Sequence, residues 1–145
     1  MIRFHLVRNA VINLFARRWL ASLILLVLLD TATFLALKEP SGRIQLFPHL
    51  DKVLHFLGFT VLSIMGFISL SFDWFSRLKR GHYLLHLPNV ILWSGYGLGI
   101  EFLQSKLAYR QASMGDFAAD MAGILLGTSI VHIAGLYFRQ EQNDD

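Results

Sequence analysis

The sequence predicts an all-α fold: a four-span transmembrane helical bundle with an N-terminal amphipathic interfacial helix. Three observations carry this expectation. Hydrophobic residues make up 54% of the 145 positions and charged residues only 16%, against about 25% charged in an ordinary soluble domain. The deficit comes from four apolar runs, each close to the roughly 20 residues that carry a helix across about 30 Å of hydrocarbon. The connections between the runs are short, so four spans use nearly the whole chain and residues 1–145 read as a single membrane domain.

Residues Met1 to Arg18 place Phe4, Val7, Val11, Leu14 and Phe15 at helical spacing with Arg8, Asn13, Arg17 and Arg18 between them, the pattern of a helix lying in the interface. Trp19 to Leu37 is the first span. A signal peptide is the rival reading, but apolar residues resume after Asp30 and no small-x-small cleavage site follows, so a retained span is expected. Pro40, Ser41, Gly42 and Pro48 mark a loop. Asp51 stands where a helix N-cap would, opening a second span over about 53–72. A polar loop with Arg77, Lys79 and Arg80 leads to the third span, about 84–103, with Pro88 in its first turn. Its Gly95 and Gly99 stand four apart, as small residues do where helices approach closely in lipid. A short loop from about Ser105 to Gly115 precedes the fourth span, about 117–137, with Asp116 as its expected N-cap and Ala119, Gly123 and Gly127 on one face. The tail from Arg139 reads as polar and frayed.

The absence of cysteine excludes disulfides, thiolate zinc sites and thiol catalysis. The net charge of +3 is modest, and its concentration ahead of the first span suits anionic lipid rather than nucleic acid. Arg3, Arg8, Arg17, Arg18, Arg77, Lys79, Arg80 and Arg139 fall on one side of the predicted topology, and Lys38, Arg43, Lys52, Lys106 and Arg110 on the other. The imbalance orients both termini toward the cytoplasm.

With that topology, polar residues gather at the outer ends of the spans, where groups in or beside hydrocarbon mark a site more readily than packing. Asp51 and His55 share a helix face at i, i+4, so the carboxylate can orient the imidazole. Glu101 ends the third span with Gln104 one turn on, and both can reach one partner. Arg110 suits bidentate binding of phosphate or carboxylate, and Asp120 lies one turn inside the fourth span from Asp116. Asp30, within the first span, reads as a hydrogen-bonding partner for another helix, and His132, near the far end of the fourth, as structural. His55, Glu101, Asp116 and Asp120 have the chemistry of metal ligands, but no paired-histidine motif supports a metal, and neither metal nor cofactor is expected. Phosphate loops, nucleophile elbows and EF-hands are absent.

Three segments, Asp51-Lys52-Val53-Leu54-His55-Phe56, Glu101 with Gln104, and Arg110 through Ser113 to Asp116, Asp120 and Gly123, together resemble the VanZ-like family of small multi-pass bacterial membrane proteins. The resemblance runs over about Asp51 to Gly127. The family carries asparagine where this chain has Asp120, so a charge enters at a position that is usually a neutral amide. The resemblance implies a cell-envelope protein; the family's name-giving member is linked to reduced teicoplanin susceptibility.

The expected function is binding or chemistry on an anionic headgroup, such as a lipid-linked cell-wall or polysaccharide intermediate. Lys52 and Arg110 would hold the anion. His55 and Glu101 would handle protons, with Asp116 completing the catalytic set and Asp51, Gln104, Ser113 and Asp120 binding or orienting. The alternative is a non-catalytic accessory or glycopeptide-resistance protein of the envelope. A small proton-coupled transporter with Asp30, Glu101 and Asp120 as its relay is disfavoured, because no polar group lines the cytoplasmic half of the predicted bundle.

Overall fold

The computed structural model describes residues 19–39, 49–75, 82–110 and 113–143. The described residues form four α-helices: α1 (Leu20–Leu37), α2 (Leu50–Ser69), α3 (His86–Gln104) and α4 (Met114–Asn143). A π-helix, Leu70–Trp74, extends α2, and a 3-10 turn, His82–Leu85, leads into α3. The expected interfacial helix at 1–18 and the basic loop around Arg77 to Arg80 lie outside the described residues.

Among the described residues three segments are long and apolar enough to cross a membrane: Leu20–Leu37, Leu50–Trp74 and Met114–Leu136. α3 is 19 residues long but carries His86, Pro88, Asn89, Glu101 and Gln104, which dilute its apolar character. The helices run up and down in alternation. The C-terminal ends of α1 and α3 meet the N-terminal ends of α2 and α4, as Gln104 to Ala36 and Lys52 to Asp116 contacts establish. At the other end the start of α1 meets Asp73, and the start of α3 meets His132.

Local chemistry explains the helix limits and corrects two expected caps. α2 begins after His49, whose φ of 63° stops the helix there, so Asp51 sits within the first turn. α4 is capped by Ser113, whose Oγ accepts the Gly115 N–H at 3.1 Å. Asp116 is therefore also a first-turn residue, placed where negative charge suits the helix dipole. α4 continues to Asn143, through the tail that the sequence reads as frayed.

The core is Phe59, Leu62, Trp93 and Ile124, with α1 packed against it through Leu25, Leu28 and Leu29. The most extensive helix contact is between α2 and α4. Two glycines make it possible: a Cβ at Gly123 would strike the Phe56 carbonyl, and one at Gly127 would lie 2.6 Å from the Thr60 carbonyl oxygen. Such small-residue contacts let helix backbones approach in lipid, where apolar burial alone supplies little attraction. Gly95 and Gly99 do not play that part, since no atom lies within 4 Å of a Cβ at either. At about 100° per residue they point away from the inward face of α3, which is Trp93, Gly97, Ile100, Glu101 and Gln104. Gly97 is the contact glycine, with a Cβ there falling 3.0 Å from Asp120 Oδ2.

A buried polar hub in the opposite half ties three helices together. Asn89, fully buried, donates to both the carbonyl and the hydroxyl of Ser63 at 3.1 Å and accepts the Trp93 indole N–H at 3.0 Å. Ser63 in turn donates to the Ile124 carbonyl. The expectation that no polar group lines that half is thus wrong. These groups are, however, saturated by one another, which is how buried polar groups serve structure.

Candidate functional site at one end of the bundle

The predicted site residues do converge at one end, but their partners differ from those that sequence spacing suggests. His55 turns to α4, with its Nδ1 2.8 Å from Asp120 Oδ1. Asp51, its expected partner one turn away, accepts from Lys52 at 3.3 Å instead. Lys52 Nζ also donates to Asp116 at 2.8 Å. The lysine therefore bridges the first turns of α2 and α4 between two carboxylates, and its charge is already answered. The close approach depends on Gly115, where a Cβ would stand 2.9 Å from Lys52 Cε.

Glu101 and Gln104 do not share a partner. Glu101 Oε2 accepts the Ser113 backbone N–H at 2.8 Å, which ties the end of α3 to the cap of α4. Gln104 donates to the Ala36 carbonyl at 2.9 Å. Tyr109 donates to the Leu37 carbonyl at 2.9 Å, and Arg110 Nη2 donates to the carbonyls of Leu35 at 3.2 Å and Lys38 at 3.1 Å. The last carbonyls of an α-helix have no intrahelical donors. Gln104, Tyr109 and Arg110 supply them for α1, so two residues expected to bind substrate also cap a helix. Tyr109 was missed because nothing in the sequence marks a tyrosine in a short loop as a capping donor for a distant helix.

At the centre lie His55, Glu101 and Asp120, one donor atom from each within 4.8 Å of the others. Asp120 is 0% exposed and Glu101 8%. Each fills one carboxylate oxygen and keeps the other, Asp120 Oδ2 and Glu101 Oε1, buried without a hydrogen-bond partner among the described residues. A buried acceptor left unfilled costs about 1–3 kcal/mol, so these two oxygens call for a partner beyond the described side chains.

Beside the cluster a cavity of about 430 Å³ opens between α1, α2 and α3. Its walls are apolar, from residues such as Leu28, Leu35, Leu54 and Leu62, and its polar lining includes Asp51, His55 and Arg110 at the site end. Of the central cluster, His55 alone also lines this cavity. Arg110 brings a guanidinium that no carboxylate among the described residues pairs with, and its Nε is buried without a partner.

Two residues considered for the site stay outside it. Asp30 is exposed on α1 and outside the cavity lining, so an Asp30–Glu101–Asp120 relay is not assembled within this chain. His132 faces His86 at 3.3 Å at the opposite end. Comparison with family models, with curated proteins and with solved structures returns no match to this chain.

Proposed function

We propose that this chain is a four-span protein of a bacterial inner membrane that binds the headgroup end of an anionic amphiphile in the α1–α2–α3 cavity. One observation carries the reading. The cavity has the shape such a molecule needs: about 430 Å³, within the usual ~300–1,000 Å³ of small-molecule sites, with apolar walls for a hydrocarbon chain. At its polar end Arg110 offers a positive charge, and His55 offers an imidazole oriented by Asp120.

The fourth crossing is α3. α3 starts beside His132 at one end of the bundle and ends beside the Ser113 cap of α4 at the other. Its buried Asn89 is tolerable because α2 answers it. The Lys and Arg distribution supports both termini in the cytoplasm and a site facing the periplasm.

The resemblance to the VanZ-like family supports an envelope role, with a lipid-linked cell-wall or polysaccharide intermediate as the ligand class. An imidazole that gives Nδ1–H to the Asp120 carboxylate keeps Nε2 as an acceptor toward the headgroup.

The test exploits Gly58, which lines the cavity and has no atom within 4 Å of a Cβ built on it. Gly58→Leu puts a branched side chain into the cavity from a position with open space for its Cβ. Native mass spectrometry of the purified protein, offered phosphatidylglycerol or phosphatidylcholine, should show retained phosphatidylglycerol that Gly58→Leu abolishes. Equal retention of both lipids, or retention unchanged by Gly58→Leu, would refute the reading.

A further inference from the structure

We infer that His55, Glu101 and Asp120 form a site for one divalent transition-metal ion of the zinc–manganese class. This goes beyond headgroup binding and reverses the expectation, from sequence motifs, that no metal is held.

The first argument is geometric. One imidazole nitrogen and two carboxylate oxygens lie within 4.8 Å of one another; ligands about 2.0–2.2 Å from a shared ion stand no more than about 4.4 Å apart, so a small closure of the side chains brings the set onto one ion. The residues come from three helices, so the set is fixed by the bundle rather than by a loop. Gly97 adds to the construction, because a side chain there would press on Asp120 Oδ2 and on the Phe59 ring.

The second argument concerns what faces the cluster. Glu101 Oε1 and Asp120 Oδ2 are buried and unpartnered among the described residues, on side chains more than nine-tenths buried. No cation of the described residues is directed at them. Lys52 is held by Asp116 and Asp51, and Arg110 donates to the end of α1. Four carboxylates, Asp51, Glu101, Asp116 and Asp120, gather here around one lysine and one imidazole. With the imidazole neutral, as a metal ligand must be, and with both Lys52 and the Arg110 of the adjoining cavity counted, two negative charges are unanswered, and one divalent ion balances them. Buried charges persist when they are paired or coordinate a metal.

The donor set selects the ion. Calcium and magnesium prefer all-oxygen shells, whereas imidazole with carboxylate suits zinc, manganese or iron. Three protein ligands leave a position for water or a ligand oxygen, the arrangement of reactive rather than purely structural metal sites.

The experiment measures metal, not activity. The full chain in nanodiscs is stripped with a chelator, equilibrated with Zn²⁺ alone, freed of excess, and assayed for zinc per chain. The wild type should hold about one equivalent, and Glu101→Gln and Asp120→Asn should each lower zinc affinity at least tenfold, in the range by which altered ligand shells weaken metal binding. Gly58→Leu should leave zinc unchanged, which separates this site from the lipid cavity. The His86–His132 pair, 3.3 Å apart at the far end, is the competing imidazole site, so His132→Gln is measured alongside. Zinc should also raise the melting temperature of the unmutated protein in a concentration-dependent way, as a ligand of the folded state must; this arm needs no variant to fold. Absence of bound zinc in the wild type, zinc that follows His132, or zinc unaffected by both carboxylate variants would overturn the proposal.

Discussion

The two ends of the bundle both bring carboxylates to helix termini, and they use them in opposite ways. At one end Asp73 is filled by backbone: Oδ1 accepts the Trp19 N–H at 3.2 Å and Oδ2 the Ser22 N–H at 2.7 Å. It answers orphan donors at the start of α1 and adds a negative charge where the dipole favours one. The π-helix that carries Asp73 lies just past α2, and Ser22 and Ser69 join hydroxyls at 2.8 Å beside it. At the other end Glu101 and Asp120 each fill one oxygen and bury the second unfilled. A carboxylate retained for structure is saturated by the fold. One left half-filled, next to other negative charges, is where the proposed ion would bind.

The largest effect should come from the contact that holds the second end together. Gly123→Val drives a side chain into the Phe56 carbonyl and pushes α2 from α4, separating His55 from Asp120. A loss of about 3 kcal/mol, at the upper end for overpacking, should appear in thermal denaturation followed by circular dichroism. Zinc and lipid binding should fall with it. Next, Asp73→Ala should cost about 1–2 kcal/mol, as lost N-caps do, while zinc and phosphatidylglycerol binding persist in the folded fraction. Retention of stability there would erase the contrast between the ends.

Gln104→Ala should cost about 1 kcal/mol, the worth of one buried hydrogen bond, by freeing the Ala36 carbonyl at the end of α1. The same denaturation experiment reads it, and an effect on zinc larger than on stability would move Gln104 from the cap into the site. The smallest change is that of Gly58→Leu, expected to stabilise by about 0.5–1 kcal/mol because glycine is a poor helix residue, while abolishing lipid retention.

Much of this was legible in the sequence, and the parts that were not share a cause. Apolar run length located α1, α2 and α4 to within a few residues, since hydrocarbon thickness fixes how long such runs must be. The run-end position of Asp51, Lys52, His55, Glu101, Arg110 and Asp116 placed these residues together at one end of the bundle, where the structure also has them. Sequence spacing reports only neighbours on the same helix, however. It paired His55 with Asp51 at i, i+4, whereas the imidazole meets Asp120, 65 positions along. It joined Glu101 with Gln104, whereas their acceptor and donor roles send them to Ser113 and Ala36. The glycine error has the same origin: Gly95 and Gly99 have the right interval, but only the rotation of α3 within the bundle decides that Gly97 faces inward. Asn89 was readable in principle, because an amide inside an apolar run must find partners.

The most direct test of the contrast is a paired stability measurement on two isosteric variants, Asp73→Asn and Asp120→Asn, by thermal denaturation of the metal-free protein in one detergent. Asp73→Asn should lower the melting temperature, because the charge that answers the start of α1 is gone. Asp120→Asn should hold or raise it, because an amide still accepts the His55 N–H while one buried negative charge is removed. A fall for Asp120→Asn as large as that for Asp73→Asn would contradict the account, and the two ends would then be structural alike.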